Sequence, residues 1–387
     1  MPQNWKTYKL GEITELIMGQ SPKGETTNVV GIGYPLLNGP TEFGYSNPIP
    51  TQFTTDAKKL SDVNDLLFCV RGSTTGRMNF SDQVYAIGRG IGAFRGKNGY
   101  STKYVKYLID YYLDRLLSIS TGSTFPNLSR TDILGFEVQS CDSTESDAIA
   151  QILSSLDDKI ELNLQMNKTL EEMTMTLYKH WFVDFGPFKD GKFIDSELGP
   201  IPEGWEVKVL PELGNIFYGK MPKKDLLQDS GFPVYSGYRN VGFYPEYNCD
   251  KGKVIVIARG VGGTGDVKLT SEKCFLTNLS ICINNEHDIL DDSLLFYGLK
   301  RYGLDHLRTG SAQPQITIND LNSVSVLVPP SSIQIDFLKK FNLLTEQLEL
   351  NIQENQTLTN LRDTLLPKLI SGAVRVKDVE SQVAEVL

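Results

Sequence analysis

The sequence predicts an α+β protein with a pseudo-two-fold internal repeat: two similar α/β domains joined by two long helices that form an antiparallel coiled coil. Two observations predict this class. Residues near the start of the chain return with a shift of 200 and later residues with a shift of 188, and each copy is followed by a long helical stretch without glycine or proline until its end. Solenoid repeats are only about 20–50 residues long. The repeat is therefore a duplicated domain with its own helix.

Short motifs carry the correspondence between the two copies. The matched pairs are Trp5 with Trp205, Gly19 with Gly219, Arg71 with Arg259, Gly122 with Gly310, Asp132 with Asp320, Asn163 with Asn351, and Asn167 with Asn355. The change of shift from 200 to 188 places an insert of about twelve residues between positions 22 and 71 of the first copy.

Each copy begins with short β-type runs interrupted by glycine, proline and asparagine. The runs at residues 66–70 and 254–258 both lead into an Arg-Gly turn. The helix and final strand that follow are expected at 102–118 and 136–138 in the first copy, and at 293–307 and 324–328 in the second. Each copy is thus an α+β domain of about 140 residues with a twisted and partly closed sheet.

Each long helix carries an apolar seam in the same register, read at alternating steps of four and three. Both seams contain paired asparagines, Asn163 with Asn167 and Asn351 with Asn355. Thirty-odd residues of helix at about 1.5 Å rise per residue span roughly 50 Å, more than a 140-residue domain comfortably covers. We therefore expect the helices to pair antiparallel, with Asn163 facing Asn355 and Asn167 facing Asn351, and not simply to pack on their own domains.

The predicted segments are a first domain at 1–143, a first helix at 144–184, a linker and second domain at 185–330, a second helix at 331–372 and a C-terminal tail at 373–387. Pro367 is expected to mark the end of the second helix, because proline lacks the backbone donor that a helix interior needs. Arg362 is a poor residue for the seam.

Composition is that of a globular protein, with 40% hydrophobic and 22% charged residues. The sequence contains no run of about 18 apolar residues, so we expect no membrane span. The first residues lack the apolar core of a signal peptide. The five cysteines are odd in number and lack CxxC spacing. We expect reduced thiols in a cytoplasmic protein, and neither disulfides nor a zinc site.

Charge is unevenly distributed. Residues 1–140 have 14 basic and 12 acidic side chains, which gives +2, whereas residues 141–200 have 5 basic and 12 acidic side chains, which gives −7 of the total of −9. The two domains are close to neutral, so this chain alone offers little nonspecific attraction for phosphates. If it binds DNA, we expect a basic partner to supply much of the affinity.

The sequence lacks the motifs of several enzyme classes. Residues 260–265 formally fit the dinucleotide pattern GxGxxG, but residues 266–270 read as a strand, whereas that fingerprint requires a helix. The chain contains no GxxxxGK[ST] and no Asn-Pro-Pro-Tyr or Asp-Pro-Pro-Phe element, and its three histidines lack ligand spacing. We therefore expect no catalytic site, no metal and no cofactor on this chain.

Polar and basic side chains occupy corresponding loops of both copies. Arginine and asparagine can pair bidentately with guanine and adenine edges, and serine and threonine can donate to phosphates or bases. A solvated loop is the alternative for any one of them. Because frame residues match while loop contents differ, we expect two different short DNA sequences to be recognised. The candidate residues are Arg71, Ser73, Thr74, Thr75, Arg77, Arg89, Ser123 and Thr124, and in the second copy Arg259, Thr264, Lys268, Thr277, Asn278, Ser311 and Gln313.

Several longer motifs are more specific. They are Leu-Tyr-Lys-His-Trp-Phe-Val-Asp-Phe at 177–185, Ser-Glu-Leu-Gly-Pro-Ile-Pro-Glu-Gly-Trp at 196–205, Val-Pro-Pro at 328–330 with Gln334, and Arg-Asp-Thr-Leu-Leu-Pro-Lys-Leu-Ile-Ser-Gly at 362–372. With them, essentially the whole chain resembles the specificity (S) subunits of type I restriction–modification systems. The first copy departs from the Pro-Pro…Gln pattern at residues 141–146.

The resemblance implies two target-recognition domains that each read one half of an asymmetric bipartite site in double-stranded DNA. It implies helices that set the unread gap and dock two modification (methyltransferase) subunits, with S-adenosylmethionine on those subunits. Restriction subunits, with ATP and Mg, are expected to join the complex. The candidate docking residues form an acidic face predicted to be exposed on the first helix: Asp157, Asp158, Glu161, Glu171 and Glu172.

Two alternatives remain at this stage. One is a DNA-reading subunit of a methylation-only or other defence system. The other is a coiled-coil scaffold whose globular ends bind proteins, which the matched arginine-rich loops disfavour.

Overall fold

The computed structural model describes residues 5–120, 126–237, 239–260, 263–285, 289–310 and 313–384. The chain divides into two compact units. Unit 1 contains Met1–Met166 and Leu350–Leu387, and unit 2 contains Asn167–Glu349. The division passes through both long helices, so each unit consists of one α/β domain and a segment of each helix.

The described part of unit 1 begins with ten strands, three short or medium α-helices and the first long helix. The strands are β1 (Lys6–Lys9), β2 (Thr14–Met18), β3 (Thr27–Asn28), β4 (Tyr34–Leu37), β5 (Gln52–Thr54), β6 (Leu66–Cys69), β7 (Met78–Phe80), β8 (Ala86–Ile87), β9 (Ile91–Gly96) and β10 (Glu137–Ser140). The helices are α1 (Leu10–Ile13), α2 (Thr102–Ser118), α3 (Arg130–Gly135) and α4 (Ser143–Phe182).

Unit 1 contains two four-stranded sheets. One is antiparallel with the order β2-β9-β6-β7, and the other has the order β3-β5-β4-β8, in which β8 is parallel to β4. Every residue of β6 is buried. Because successive strand residues point to opposite faces, Leu66 and Phe68 enter the large core with helix α2, while Leu67 enters a smaller core with Leu37 and Tyr85.

Unit 2 repeats this plan. Its strands are β11 (Phe193–Ile194), β12 (Ile201–Pro202), β13 (Glu206–Val209), β14 (Gly214–Tyr218), β15 (Phe232–Ser236), β16 (Arg239–Tyr244), β17 (Val254–Ile257), β18 (Val267–Leu269), β19 (Phe275–Leu276), β20 (Ser280–Asn285) and β21 (Ser325–Val328). Its helices are α5 (Asp292–Tyr302) and α6 (Ile318–Asn322), and the second long helix α7 (Ser331–Ile370) begins here. The order β14-β20-β17-β18 corresponds to β2-β9-β6-β7 of unit 1. The duplicated α+β fold is confirmed.

The helix segments of unit 1 run antiparallel side by side. Asn163 Nδ2 donates to Asn355 Oδ1 over 2.9 Å, as the seam predicts. Asp157 Oδ1 accepts from Arg362 Nη1 over 2.8 Å, which explains how a charged residue is accommodated at the seam. Burial of the seam residues Ile160 and Leu358, and of Leu156 and Leu365, adds an apolar contribution beside these polar contacts. A coiled coil over the full helix length, with Asn167 facing Asn351, stays a prediction.

In unit 2 an aromatic cluster joins the helix segments to the domain. Phe182 on α4 and Phe337 on α7 have ring centroids 4.7 Å apart, and Trp205 lies 5.8 Å from Phe182. Tyr178 and Trp181 contact the same Phe337 ring. Aromatic side chains bury large apolar areas, so the motif at 177–185 is explained by packing.

Two helix ends differ from the predictions. Helix α5 stops at Tyr302, not near residue 307, because Gly303 adopts a φ of 71° that ends the helix, and a separate 3₁₀ turn follows at Asp305–Leu307. Helix α7 continues through Pro367 to Ile370. Burial of Leu369 and Ile370, and the hydrogen bond from Trp5 Nε1 to the Ile370 carbonyl (2.7 Å), hold this last turn in place.

The segment after α7 forms helix α8 (Val376–Ala384), whose valines enter the core of unit 1. The five cysteines are buried free thiols. Among the described residues, none of the helices combines the length and apolar content needed to span a bilayer.

Candidate nucleic-acid interface

The Arg-Gly loop of unit 1, residues 71–77, follows the buried strand β6 and is held between two other segments. Val70 donates its N–H to the Gly90 carbonyl over 2.9 Å, and the Val70 carbonyl accepts from Leu128 N–H over 2.9 Å. The turn that carries Arg89 and the segment that precedes α3 therefore lie on either side of Arg71. Both arginine side chains are exposed.

Unit 2 builds the same frame from different residues. Ala258, at the end of β17, donates to the Leu279 carbonyl over 2.8 Å and accepts from Ile316 N–H over 2.9 Å. Arg259, which follows Ala258, and Asn278, which precedes Leu279, are exposed. The matching Arg-Gly motifs of the sequence thus correspond to matching loops, which we call the reading loops: residues 71–77 and 88–90 in unit 1, and residues 259–260, 263–265 and 277–279 in unit 2.

A close approach fixes one side of each frame. A Cβ atom on Gly19 would lie 2.2 Å from the Gly88 carbonyl oxygen, and one on Gly219 would lie 2.3 Å from the Leu276 carbonyl oxygen. Only glycine permits this contact in either copy, because no side-chain carbon fits there. The recurrence of glycine at these two positions is a requirement of the frame.

Two of the predicted DNA-contacting side chains are buried. Thr264 is 2% exposed, and its hydroxyl donates to the carbonyls of Gly260 (3.0 Å) and Pro314 (3.1 Å). Thr277 is 3% exposed. Both side chains are used within the protein. The bonds in unit 1 that match those of Thr264 are from Thr75 Oγ1 to Gly72 O at 2.7 Å and to Pro126 O at 3.2 Å.

Replacing Thr264 with valine is expected to lower the free energy of unfolding by about 0.5–1.5 kcal/mol, because the Gly260 and Pro314 carbonyls lose their donor while the side-chain shape is kept. Chemical denaturation measures this loss. Ser73→Ala, at an exposed position, is the control and should change stability by less than about 0.5 kcal/mol. Equal effects of the two substitutions would contradict the structural role of Thr264.

The other candidates divide by exposure. Thr74 and Thr75 are half-buried, and Arg77 Nη1 donates to the Pro40 carbonyl over 3.3 Å while its side chain stays exposed. The exposed set is Arg71, Ser73, Arg77, Arg89, Arg259, Lys268, Asn278 and Gln313. Lys268 lies on strand β18 and not on a loop. Ser123, Thr124 and Ser311 lie outside the described residues. Contact of the exposed set with DNA stays a prediction.

Sequence reasoning missed two residues beside the Arg89 turn. Ser21 Oγ accepts from the Arg89 N–H over 3.2 Å. Asn38 is exposed next to Gly88, whose N–H donates to the Leu37 carbonyl over 2.8 Å. Asn38 lies in the part of the first copy that contains the insert, where repeat matching supplies no partner. Its position directly after strand β4, beside the Arg89 turn, became visible only in the folded chain.

The acidic face on the first helix is only partly exposed. Asp157 is enclosed: Oδ2 accepts from Lys106 Nζ over 3.0 Å and from the Tyr107 hydroxyl over 2.7 Å, in addition to the Arg362 contact. Glu161 Oε2 accepts from Ser46 Oγ over 2.6 Å. The prediction that these two carboxylates face solvent with the others is wrong, since they bind groups of their own unit. The exposed members are Asp158, Glu171 and Glu172.

Electrostatics around Asp157 follow from this enclosure. Burial raises the pKa of Asp157, but Lys106, Arg362 and Tyr107 lower it more. The pKa of this carboxyl group is therefore below its usual range. Burial, with Asp157 beside it, raises the pKa of Tyr107. The tyrosine therefore stays protonated and donates to the carboxylate.

Comparisons with known proteins agree with the repeated frame. Residues 2–172 and 202–360 each match the type I restriction modification DNA specificity domain. The chain is 26% identical to the type I restriction enzyme MjaIX specificity subunit of Methanocaldococcus jannaschii, over 98% of this chain and 95% of that protein. It is 24% identical to the HindI specificity subunit of Haemophilus influenzae, over 96% of this chain and 100% of that protein.

A solved structure supports the fold. The crystal structure of the type I restriction–modification S subunit from M. genitalium matches with a TM-score of 0.65 at 20% identity, covering 95% of this chain and 96% of that one. The matched domain occurs twice and covers most of the sequence. The chain therefore belongs to the type I restriction–modification DNA specificity family, whose members are DNA-recognition subunits and not enzymes.

Proposed function

We propose that the domain of each unit reads one half of an asymmetric bipartite DNA site. The observation that carries this proposal is the repeated frame with different exposed side chains. Unit 1 presents Arg71 and Arg89 where unit 2 presents Arg259 and Asn278. Arginine pairs best with guanine and asparagine with adenine in the major groove. Two matching backbone frames that carry different hydrogen-bonding side chains would therefore select two different short DNA sequences.

The long helices would set the distance between the half-sites. Each has 40 residues, which corresponds to roughly 60 Å at about 1.5 Å per residue. The Asn163–Asn355 pair supports antiparallel pairing in unit 1, and we extend that pairing along the full helices. Half-sites that present the same DNA face lie about one helical turn, roughly 34 Å, apart.

Other subunits would supply the chemistry. We propose that two modification subunits dock on the helices and bring S-adenosylmethionine, and that restriction subunits bring ATP and Mg. Asp158, Glu171 and Glu172 are exposed acidic residues that suit a basic docking surface. A basic partner would also offset the net charge of −9, because DNA affinity depends largely on phosphate neutralisation. A methylation-only complex would use the same DNA-reading function.

Insertion of one heptad into both α4 and α7, at matched positions near 165 and 353, tests the spacer role. About 10 Å of added helix corresponds to roughly three base pairs of DNA, at about 3.4 Å each. We expect a longer tolerated gap with unchanged half-sites, or loss of methylation because the second half-site is also rotated. Methylated DNA from cells that carry the variant reveals the gap. Full activity on the original target would contradict the spacer role.

A further inference from the structure

The loop at residues 29–33, which joins β3 to β4, presents a prominent apolar surface in unit 1. Val29 is 76% exposed, Val30 is 73% exposed and Ile32 is 59% exposed. Both β3 and β4 pair with β5, so the loop crosses over the end of that strand. Contiguous exposed apolar side chains of this kind mark interaction sites. We call residues 29–33 the apolar loop.

The apolar loop is preformed. Asn28 Oδ1 accepts from Val30 N–H over 3.1 Å and from Ile32 N–H over 3.0 Å, and Asn28 Nδ2 donates to the Ile32 carbonyl over 2.8 Å. Gly33 has a φ of 91°, and a Cβ atom there would lie 2.1 Å from the Thr54 carbonyl oxygen. These contacts hold three apolar side chains in water, and a rigid surface loses little conformational entropy on binding.

The corresponding loop of unit 2 shows that the fold does not require this apolar content. Gln228 bridges to Phe243 of β16, and Phe232 of β15 pairs with Tyr244. The connection between them, residues 229–231, crosses over the end of β16 and contains the exposed sequence Asp-Ser-Gly. The same crossover is thus polar in one copy and apolar in the other. The valines and the isoleucine of unit 1 serve something other than folding.

We propose that the apolar loop contacts the bases of double-stranded DNA at the first half-site. This inference rests on the proposed function. Two copies of one modification subunit would meet equivalent surfaces of the two domains, so a loop that differs between the copies does not fit that partner. The DNA half-sites are the partners that differ. Apolar side chains recognise DNA through the thymine C5-methyl group or by insertion between base steps.

The position of the loop is consistent with that partner. Strand β4 starts beside the apolar loop and ends at Leu37, whose carbonyl accepts from Gly88 in the turn that carries Arg89. From Gly33 to Asn38 the chain covers roughly 17 Å at about 3.3 Å per residue. This is about half of one DNA helical turn of roughly 34 Å. The loop and the Arg89 turn can therefore contact one stretch of DNA.

The test uses the full chain in complex with its modification subunits. The variant is Val29→Ser/Val30→Ser/Ile32→Ser, and the control is Ile49→Ser, a 70% exposed residue of the same unit. Affinity for the specific DNA site is measured by fluorescence anisotropy at fixed salt. We expect the triple variant to bind at least about tenfold more weakly, and the control to change affinity less than about twofold.

DNA in which the thymines of one half-site are replaced by uracil separates the two sources of apolar contact. If the loop contacts methyl groups, uracil in the first half-site lowers the DNA affinity of the wild type. The triple variant, which already lacks these contacts, then shows no further loss of affinity. If uracil has no effect on wild type while the triple variant still binds weakly, the loop contacts base faces, and the proposal also stands. Uracil in the second half-site should change the DNA affinity of the wild type and of the triple variant equally.

Unchanged DNA affinity of the triple variant would overturn the inference. So would loss of modification-subunit binding in the absence of DNA, because the partner would then be a protein. Arg71→Ala and Arg259→Ala, tested in parallel, separate this failure from failure of the proposed function. If those two variants affect different half-sites while the triple variant is silent, only the inference fails. If neither variant shows half-site selectivity, the proposed function fails.

Discussion

Replacing Asp157 with alanine is expected to lower the free energy of unfolding of unit 1 by about 2–3 kcal/mol. The substitution leaves Lys106 and Arg362 half-buried without their shared carboxylate, and the Tyr107 hydroxyl without its acceptor. Removing one partner of a buried ion pair costs about 3–5 kcal/mol. The smaller value is expected here because 27% of the Asp157 side chain is exposed to solvent. Denaturant dependence of hydrogen exchange in α2 measures the change.

Asp363 supplies the matched control. It also binds Arg362, over 2.8 Å, but its side chain is 60% exposed. Asp363→Ala should therefore cost less than about 1 kcal/mol, as exposed pairs do. Similar losses of stability for the two variants would show that the position of Asp157, on α4 between α2 and α7, adds nothing to the free energy of unfolding.

The effect of Asp157 should also depend on pH. Because the folded state lowers the pKa of this carboxyl, its contribution is fully present above the ordinary carboxyl pKa of about 4 and is lost as the pH falls through the lower folded value. The stability difference between wild type and Asp157→Ala should shrink in that acidic range. A difference that grows on acidification would contradict the charge assignment.

Arg71→Ala and Arg259→Ala are expected to impair different halves of the target. Each should weaken specific binding about tenfold or more, because a bidentate base contact contributes about 1–3 kcal/mol of discrimination. Arg71→Ala should relax base selectivity in one half-site and leave the other unchanged, and Arg259→Ala should do the reverse. Binding to a panel of single-base variants of the target at fixed salt measures both effects.

Arg301 provides a control, as an exposed arginine at the end of α5 outside the reading loops. Its substitution by alanine should leave base selectivity intact in both halves. If Arg71→Ala relaxed both half-sites equally, independent reading by the two domains would be excluded. If it weakened binding to all sequences uniformly, Arg71 would be a phosphate contact.

Repetition made the fold predictable. Trp5 and Trp205 recur because both are 5% exposed in the cores of their units, and Gly19 and Gly219 recur because neither position admits a Cβ atom. The helix seam gave the Asn163–Asn355 contact correctly, because side-chain spacing along a helix determines which residues face a partner. The repeated tryptophans and glycines and the helix spacing could be predicted, because each leaves a pattern that is visible in the sequence itself.

The candidate site was harder to predict, because exposure depends on residues distant in sequence. Thr264 looks like a loop donor until the Pro314 carbonyl is placed beside it. Asp157 looks like a surface acid until Lys106 and Arg362 enclose it. The apolar loop has no matching sequence in the second copy, so repeat matching passed over it. Periodicity along a helix identifies the partners of a seam, but it does not identify the distant groups that a loop or surface side chain contacts.

Sequencing of methylated bases in DNA from cells that express this chain with the proposed modification subunits tests the central claim most directly. Two reading domains on a fixed spacer predict a target of two unlike short sequences separated by a gap of constant length and unspecified bases, with Arg71→Ala altering the consensus of one half alone. A single continuous target, or a gap that varies freely among methylated sites, would contradict it.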